Sequence, residues 1–369
     1  MYTMHPTLLV GPADWDPARM PKEEFLGRIA GLFAGGDPAV AGAIVYGDPR
    51  SHAELAYLTH MTPKREACIA LIPRAGEPRL LVGGGANMVG SAKPLTWIET
   101  LAPLREAGAT IARWRDALGG ALVLANGDAM PLRLRNGIAR ALGAPPADVT
   151  GLVARMMRRK GTRELPMIQN ACDALGAAFS AMRSAQRDRN GVTDTVLAGE
   201  AAAWRHGAQD VRTLFGREGR LAPFTARDDA VVDPLQVYVA VRHGGYWAEG
   251  FDVLSQSPQP PAEAARTILD QAVAQIRTGV SHRQVAAFLS DAIGAGRAHP
   301  ITERGFGQHI GLRLDGPDCL TATSADSFAF RDAYSVRAGL HDGSGSAVVS
   351  TMLVVTHDGP KRMWPKGEA

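Results

Sequence analysis

The stretch GFGQHIGLRLDGPD, residues 305–318, has the appearance of a metal-site loop in which the ligand residues have been rearranged. It combines several glycines with His309 and two aspartates, but not in the order that a metal site needs. Whether this loop binds a metal depends on the residues that the rest of the chain brings to it.

Length and composition predict a two-domain globular protein. The chain has 369 residues, of which 46% are apolar and 21% charged, close to the averages of soluble proteins. This length favours two domains, which we place at residues 1–150 and 151–369. No window approaches about eighteen uninterrupted apolar residues, and the first residues do not show a basic segment followed by an apolar one. We therefore expect a cytoplasmic protein without a membrane span.

Cysteine usage and charge exclude further classes. Cys68, Cys172 and Cys319 are too far apart for a CxxC site and odd in number, which argues against a disulfide framework and a structural zinc site. The formal net charge of +3 is small, and the basic cluster at 155–163 lacks the interleaved aromatic residues that stack on bases. We expect buried, reduced thiols and no nucleic-acid partner.

The first 150 residues alternate helix-like and strand-like segments, as in a mixed α/β layer. Helical patterns cover Lys22–Phe33, Glu99–Leu118 and Pro131–Leu142, and short β-rich runs begin at residues 43, 67, 79 and 121. A Pro/Gly-rich turn and a basic stretch follow, and we place the domain boundary there, near residue 150.

The second half contains a weak internal repeat. Apolar residues at three- and four-residue spacing predict amphipathic helices over 168–182 and 262–276, and each is followed by a turn and another apolar-periodic helix. The β-rich runs 235–255 and 348–356 would supply the sheet. In the first run, Gly244-Gly245 predicts a hairpin turn.

Six segments in order resemble one family, that of creatinase, aminopeptidase P and methionine aminopeptidase, which has the pita-bread fold. Residues 52–82 are similar to its N-terminal domain and 158–182 to its interdomain helix. The others are similar to the first metal-site hairpin, the histidine loop and the two closing strands, at 245–255, 307–318, 335–343 and 350–359. The resemblance implies an α/β creatinase-like domain at 1–150, an α+β pita-bread domain at 151–369, and a homodimer.

The same resemblance argues against the family's metal site. Metalloenzymes of the family hold two divalent ions with two aspartates, one histidine and two glutamates. In order, these positions correspond to Ala240, Glu249, Gln308, Arg337 and Ser350. Only one of them is anionic, and the guanidinium of Arg337 cannot become a ligand. A shift of one residue would bring His309 to the histidine place but would not change the rest. We therefore predict neither metal nor cofactor.

Creatinase is the instructive relative, because it cleaves a C–N bond without metal, using a histidine to move protons. The position that best matches this histidine is Leu221, so the resemblance transfers neither creatinase nor aminopeptidase chemistry directly. We predict that Glu249 and Arg337 form an ion pair in the former metal site. A role in catalysis and a role in merely filling the site both remain open.

His309 is the first candidate for general acid/base catalysis, since histidine moves protons near neutral pH. His341 with Asp342 is a second candidate, although a solvated turn explains that pair equally simply. His243, beside the Gly-Gly turn, is expected to be an exposed hairpin residue. Of Tyr246 and Trp247, alternation along the strand sends one side chain inward, where it could line a pocket.

The candidate substrate-binding residues include cations of the N-terminal domain. Lys64 and Arg65 lie in a loop that resembles the creatinase segment supplying substrate-binding groups, and could bind a carboxylate. Gln308, Tyr246, Trp247 and His341 complete the predicted substrate-binding set, and His309, Glu249 and Arg337 the catalytic one.

The sequence thus predicts a metal-independent enzyme that cleaves a C–N bond of a small carboxylate-bearing substrate by acid/base catalysis. Two alternatives remain at this stage. One is a homologue without activity that binds a ligand or a protein partner, and the other is a metal-free lyase or isomerase.

Overall fold

The computed structural model describes residues 14–365 except 106, 217–219, 224, 315 and 344. The side chain of Asp342 is likewise outside the described part. The described chain divides into two compact units, before and after the bond between Met157 and Arg158. The division lies in a helix just beyond the boundary near 150 that the sequence suggests.

The first unit is built on one mixed sheet. Its helices are α1 (Lys22–Phe33), α2 (Ala53–Thr59), α3 (Ala86–Ala92), α4 (Ala107–Leu118), α5 (Leu132–Leu142) and α6 (Thr150–Arg158). Its strands are β1 (Val40–Gly47), β2 (Cys68–Pro73), β3 (Arg79–Val82), β4 (Thr100–Pro103), β5 (Ala121–Ala125) and β6 (Ala147–Asp148). The strand order is β4-β3-β2-β1-β5-β6, with β1 antiparallel to β2 and parallel to β5. The buried strands β1, β2 and β5 form its core with α4 and α5.

Within its described residues, the second unit has two antiparallel sheets and four α-helices. The helices are α7 (Glu164–Arg187), α8 (Val192–Arg205), α9 (Pro260–Val273) and α10 (His282–Ile293). The strands are β7 (Asp210–Gly216), β8 (Leu235–His243), β9 (Tyr246–Leu254), β10 (Gly307–His309), β11 (Ala333–Asp342), β12 (Gly345–Thr356) and β13 (Gly359–Trp364). One sheet has the order β7-β8-β9 and the other β10-β11-β12-β13.

The hairpin between β8 and β9 fixes the register of the first sheet. Gly244 and Gly245 have φ angles of +56° and +86°, which a type I′ hairpin turn requires and glycine adopts without strain. His243 consequently pairs with Tyr246, and the pairing continues without a shift to Leu235 and Leu254. The predicted hairpin is confirmed, but His243 is buried rather than exposed, so that expectation was wrong.

The side chain of Gln236 joins the two sheets. Its amide nitrogen donates to the carbonyl oxygens of Asp252 and Val348 at 2.9 Å each, and its amide oxygen accepts from the Val348 N–H at 2.7 Å. A buried amide that uses both its donor and its acceptor in this way fixes β8 against β12. The facing surfaces of the two sheets are therefore held in one alignment.

The second sheet has a helix-covered face and a face toward the first sheet. Tyr334, Val336 and Ala338 of β11 pack with α9 and α10 in a single apolar cluster. Because alternate residues of a strand point to opposite faces, Ser335 and Arg337 point the other way. This alternation decides which predicted site residues can meet.

Most predicted elements of the first unit are confirmed. The helix predicted over Lys22–Phe33 is α1, and the β-rich runs at 43, 67, 79 and 121 are β1, β2, β3 and β5. The helix predicted over Glu99–Leu118 is wrong in its first part, since Thr100–Pro103 is the strand β4, paired in parallel with β3. A four-residue edge strand has too few residues to show a periodicity of its own.

No helix among the described residues is both long and apolar enough to cross a bilayer.

Two glycines on either side of Trp364 test the packing of α7 against β9. A Cβ at Gly250 would lie 2.5 Å from the Trp364 ring, whereas a Cβ at Gly176 would meet the same ring at an ordinary 3.7 Å. We expect Gly250→Ala to lower the free energy of unfolding by about 1–3 kcal/mol, because the buried ring must move. The matched control Gly176→Ala should raise it by about 0.5–1 kcal/mol through helix propensity. Urea unfolding of both variants is the measurement, and equal effects would contradict this packing.

Candidate functional site

The positions that correspond to metal ligands lie where the two sheets of the second unit meet. Ala240 pairs with Glu249 across β8 and β9, and Arg337 pairs with Ser350 across β11 and β12. Gln308 on β10 reaches Glu249 from the second sheet, with its amide nitrogen 3.0 Å from Oε1. The hydroxyl of Ser350 accepts from the backbone N–H of residue 251 in β9 at 2.8 Å.

The carboxylate of Glu249 is buried and bonded through both oxygens. The Tyr238 hydroxyl donates to Oε2 at 2.8 Å, and the Gln308 amide donates to Oε1. Gln308 is fixed in turn, because its amide nitrogen also donates to the carbonyl oxygen of Leu314 at 2.9 Å. Neutral donors thus stabilise the charge of Glu249 without a cation.

Arg337 is neutralised by a residue of the opening loop, not by Glu249. Its Nη2 lies 2.6 Å from both carboxylate oxygens of Asp318 and donates to the Gly305 carbonyl oxygen at 3.1 Å. The predicted ion pair between Glu249 and Arg337 is therefore wrong. The backbone explains the difference, because the Arg337 N–H donates to the carbonyl oxygen of residue 306, which brings the loop and Asp318 beside the guanidinium.

His309 points away from Glu249. It follows Gln308 on β10, and neighbouring residues of a strand point to opposite faces. Its ring lies 4.5 Å from that of Tyr334 and 5.8 Å from that of His282, on the helix-covered side of the sheet. The expectation that His309 shares a cavity with Glu249 is not met, for this geometric reason.

The environment of His309 also disfavours its protonation. Both ring nitrogens are buried, and neither has a hydrogen-bond partner among the described residues. Burial, reinforced by the positive charges of Arg158 and Lys160, lowers the pKa of His309 to about 2. At neutral pH the ring is therefore neutral, and it cannot act as an imidazolium general acid.

Sequence reasoning missed a buried hydrogen-bond chain beside His309. The Tyr334 hydroxyl donates to Asp332 Oδ2 at 3.0 Å, and His282 Nε2 lies 2.9 Å from the same hydroxyl. Since the hydroxyl proton goes to Asp332, we assign the donor role in the second bond to His282 Nε2. Burial lowers the pKa of His282 and raises that of Asp332. No local motif signals this chain, because His282 comes from α10 whereas Asp332 and Tyr334 lie just before and within β11.

Trp247 is the inward member of the predicted aromatic pair. It is two residues before Glu249 on β9 and shares its face, whereas the Tyr246 hydroxyl donates to Glu164 of α7 at 3.1 Å on the other face. The guanidinium carbons of Arg212 and Arg242 lie 4.7 and 5.4 Å from the Trp247 ring centre. Sequence reasoning missed these two arginines.

The remaining predicted site residues, Lys64, Arg65 and His341, belong to other segments of the chain than Glu249 and its partners. Lys64 and Arg65 belong to the loop between α2 and β2 of the first unit, where Lys64 is half-buried and Arg65 exposed. His341, near the end of β11, is exposed and pairs with Ser346, while the side chain of Asp342 lies outside the described part. Roles for Lys64, Arg65 and His341 in substrate binding stay predictions.

The donor set at the former ligand positions does not suit a pair of divalent cations. Such cations need several anionic oxygens, but Glu249 is the one carboxylate among these positions and Arg337 adds a fixed positive charge. Elsewhere in the described residues, no three His, Cys, Asp or Glu side chains converge as metal ligands would.

Three solved structures with the same fold are those of peptidases. A dipeptidase from Mycobacterium ulcerans is 18% identical, with 94% of this chain and 97% of that chain covered and a TM-score of 0.76. An Xaa-Pro dipeptidase from Bacillus anthracis is 18% identical, with 94% and 99% covered and a TM-score of 0.75. Zinc-substituted aminopeptidase P from Escherichia coli, in complex with product, is 12% identical, with 93% and 95% covered and a TM-score of 0.73.

No protein-family model matches the sequence, and no curated protein matches it. The structural likeness covers nearly the whole chain and confirms the predicted fold, an α/β N-terminal domain followed by a pita-bread domain. At these identities the likeness establishes the fold of a hydrolase family but transfers no activity.

The ion pair between Arg337 and Asp318 can be tested by a double-mutant cycle. Arg337→Met leaves the partly buried carboxylate of Asp318 without its cation and should lower the free energy of unfolding by up to about 3 kcal/mol. Adding Asp318→Asn removes that charge and should recover most of the loss. Additive losses in urea unfolding would show that the two side chains do not interact.

The lowered pKa of His309 predicts a pH-dependent stability. Between the usual pKa of 6.5 and the lowered value, the unfolded chain binds a proton at His309 that the folded chain does not, so stability falls as pH decreases. His309→Phe and His309→Gln should both reduce this fall, by up to about 1.4 kcal/mol per pH unit below pH 6. The measurement is urea unfolding from pH 7.5 to 5, and curves parallel to wild type in both variants would contradict the burial of a neutral ring.

Proposed function

Since the chain combines the fold of the Xaa-Pro peptidases with a site that lacks their ligands, we propose that it is a metal-independent protein that binds a small carboxylate-bearing molecule. In this proposal it does not hydrolyse peptides, and the ligand binds where the two sheets of the second unit meet.

One observation carries the proposal: each charged group at the positions that correspond to metal ligands has its partners within the protein itself. Asp318 neutralises Arg337, and the donors Tyr238 and Gln308 satisfy Glu249. A divalent cation would have to displace these bonds and overcome the repulsion of a guanidinium.

The polar groups on the facing surfaces of the sheets support an anionic ligand. Arg212 and Arg242 add positive charge on the face that carries Glu249. On the facing strand β11, Arg337 Nε and the Ser335 hydroxyl are buried without hydrogen-bond partners among the described residues. Buried donors favour an acceptor such as a carboxylate, which can take charge-assisted bonds from a guanidinium.

A second candidate function is metal-free hydrolysis of a C–N bond, as the sequence resemblance to creatinase suggests. The contact of 2.8 Å between the Tyr238 hydroxyl and Glu249 favours it, because the two groups could share a proton. Glu249 would take a proton from the attacking water and return it to the leaving nitrogen. The geometry favours binding alone, since His309, the other candidate proton carrier, lies on the opposite face of β10.

A ligand screen tests the proposal. We would measure binding of small carboxylates, each paired with its amide, to chelator-treated protein by calorimetry, and hydrolysis of Xaa-Pro dipeptides with and without added manganese. The proposal predicts that acids bind at least about tenfold more tightly than their amides, with no dipeptide hydrolysis in either condition.

Three results separate the candidates. Equal binding of acids and amides, or manganese-dependent dipeptide hydrolysis, would contradict the proposal. Turnover of a bound ligand without metal that disappears in Glu249→Gln, while binding persists, would establish the hydrolase instead. Arg227→Gln is the control, because Arg227 is an exposed cation paired with Asp194 and Asp229 rather than with a residue of this site.

A further inference from the structure

A polar cavity opens at the end of β9, beyond Leu254, within the second unit. Its walls are the last turns of α7, the end of β9, the loop 255–259 and the first turns of α9. None of the described residues that line it belongs to the site where the two sheets meet. Its volume of about 570 Å³ lies in the range of about 300–1,000 Å³ that is typical of small-molecule sites.

The lining of this cavity, here called the arginine cavity, is dominated by cations. It contains the guanidiniums of Arg183, Arg187 and Arg266 and the hydroxyl of Ser257. Glu263 is the one carboxylate among the described lining residues, and none of them is aromatic. A ligand ring would therefore have no partner for stacking, whereas an anion would have several cations within one cavity.

The carboxylate of Asp252 holds two of these arginines in place. Arg183 of α7 donates to its Oδ2, and Nη2 of Arg266 in α9 donates to its Oδ1 at 2.7 Å. The Asp252 side chain is only 10% exposed, while those of Arg183 and Arg266 are 42% and 46% exposed. The carboxylate thus lies behind two guanidiniums that stay open to solvent. Since two cations share one anion, one positive charge remains.

Most donors of these guanidiniums remain available to a ligand. Among the described residues, Asp252 is the hydrogen-bond partner of Arg183 and Arg266, and each guanidinium has five N–H donors. Arg187 lies one turn after Arg183 on α7, is exposed, and makes no ion pair within the described part of the chain. Residues four apart on a helix share a face. The cavity therefore presents guanidiniums from two walls.

The start of α9 adds to the positive potential. Pro260 and Pro261 open this helix and have no N–H, so Ala262, which lines the cavity, carries the first one. The N-terminal end of a helix carries a partial positive charge that favours an anion. Glu263 opposes it, but the three arginines outnumber Glu263 and Asp252, and the cavity keeps an excess of positive charge.

The number and direction of the donors favour a phosphate group over a carboxylate. A phosphate monoester carries about two negative charges near neutral pH and three acceptor oxygens, so it can bond with guanidiniums of both walls at once. A carboxylate has two oxygens, which a single arginine can satisfy in a bidentate pair. The cavity also has apolar lining from Val253, Leu254 and Pro258, against which a short organic part can lie.

We propose that the arginine cavity binds a small phosphate monoester, whose phosphoryl group accepts hydrogen bonds from Arg183, Arg187, Arg266 and Ser257. Asp252 positions two of the guanidiniums before the ligand arrives, which lowers the cost of ordering them on binding. This inference is independent of the proposed function, because the two sites share none of these residues. It gives the chain a second ligand, of a different chemical class.

The probes are glycerol 3-phosphate, inorganic phosphate, acetate and glycerol, added to the full chain and measured by isothermal titration calorimetry. Glycerol 3-phosphate should bind, and glycerol should not. Inorganic phosphate should displace glycerol 3-phosphate, and acetate should displace it at least about tenfold less well. Displacement is the readout, because a carboxylate that binds where the two sheets meet would not compete at this cavity.

Two variants assign the phosphate contact. Arg187→Gln and Arg266→Gln should each weaken binding of glycerol 3-phosphate by about tenfold or more. Both should fold, since Arg187 is exposed and Asp252 keeps Arg183 as its partner in Arg266→Gln. Arg205→Gln is the matched control and should bind as wild type does, because Arg205 is an exposed arginine in the last turn of α8.

A third variant should gain affinity. Glu263→Gln removes the carboxylate that repels the phosphoryl group and should strengthen binding of glycerol 3-phosphate by about twofold or more. No saturable binding of glycerol 3-phosphate up to about 10 mM would overturn the proposal, as would equal binding by wild type, Arg187→Gln and Arg266→Gln. Acetate that displaces as well as inorganic phosphate would overturn the phosphate class. Each of these results leaves carboxylate binding at the other site intact.

Discussion

The ion pair between Arg337 and Asp318 is the interaction on which the rest of the site depends. A guanidinium cannot lose its proton, so a buried arginine requires an anion, and Asp318 supplies it from the loop 305–318. The pair holds the loop against β11, and the carboxylate of Asp318 is thereby committed to Arg337. The loop 305–318 thus uses the carboxylate of Asp318 to neutralise Arg337, a cation of the protein itself.

The second constraint is the alternation of side chains along the strands. It puts Trp247 and Glu249 on one face of β9 and Tyr246 on the other, and it separates Gln308 from His309 on β10. Gln308 can therefore bond with Glu249 at 3.0 Å while His309 lies beside Tyr334. The two faces have different chemistry. The face toward the other sheet holds the charged groups of Glu249 and Arg337 with their partners. The opposite face of the second sheet is covered by helices, and the ring of His309 is neutral there.

Much of the fold could be predicted from the sequence because its signals are local or ordered along the chain. The Gly244-Gly245 turn fixes a hairpin, and the register that sets Ala240 against Glu249 follows from it. The partner of Arg337 could not be predicted, because it depends on how a loop without regular structure returns to β11. Arg212 was missed because no strand was predicted over Asp210–Gly216, so nothing in the sequence placed this side chain beside Trp247. The misplacement of His309 was avoidable, since adjacent strand residues cannot both face one pocket.

We propose that internal charge compensation takes the place of bound metal at the positions that correspond to metal ligands. The most direct test is metal analysis of the purified protein after incubation with manganese, cobalt or zinc and desalting, beside a variant with the ligand residues rebuilt as Ala240→Asp, Glu249→Asp, Gln308→His, Arg337→Glu and Ser350→Glu. Our account predicts no retained metal in the natural chain and retained metal in the rebuilt one. Near-stoichiometric metal in the natural chain would contradict it.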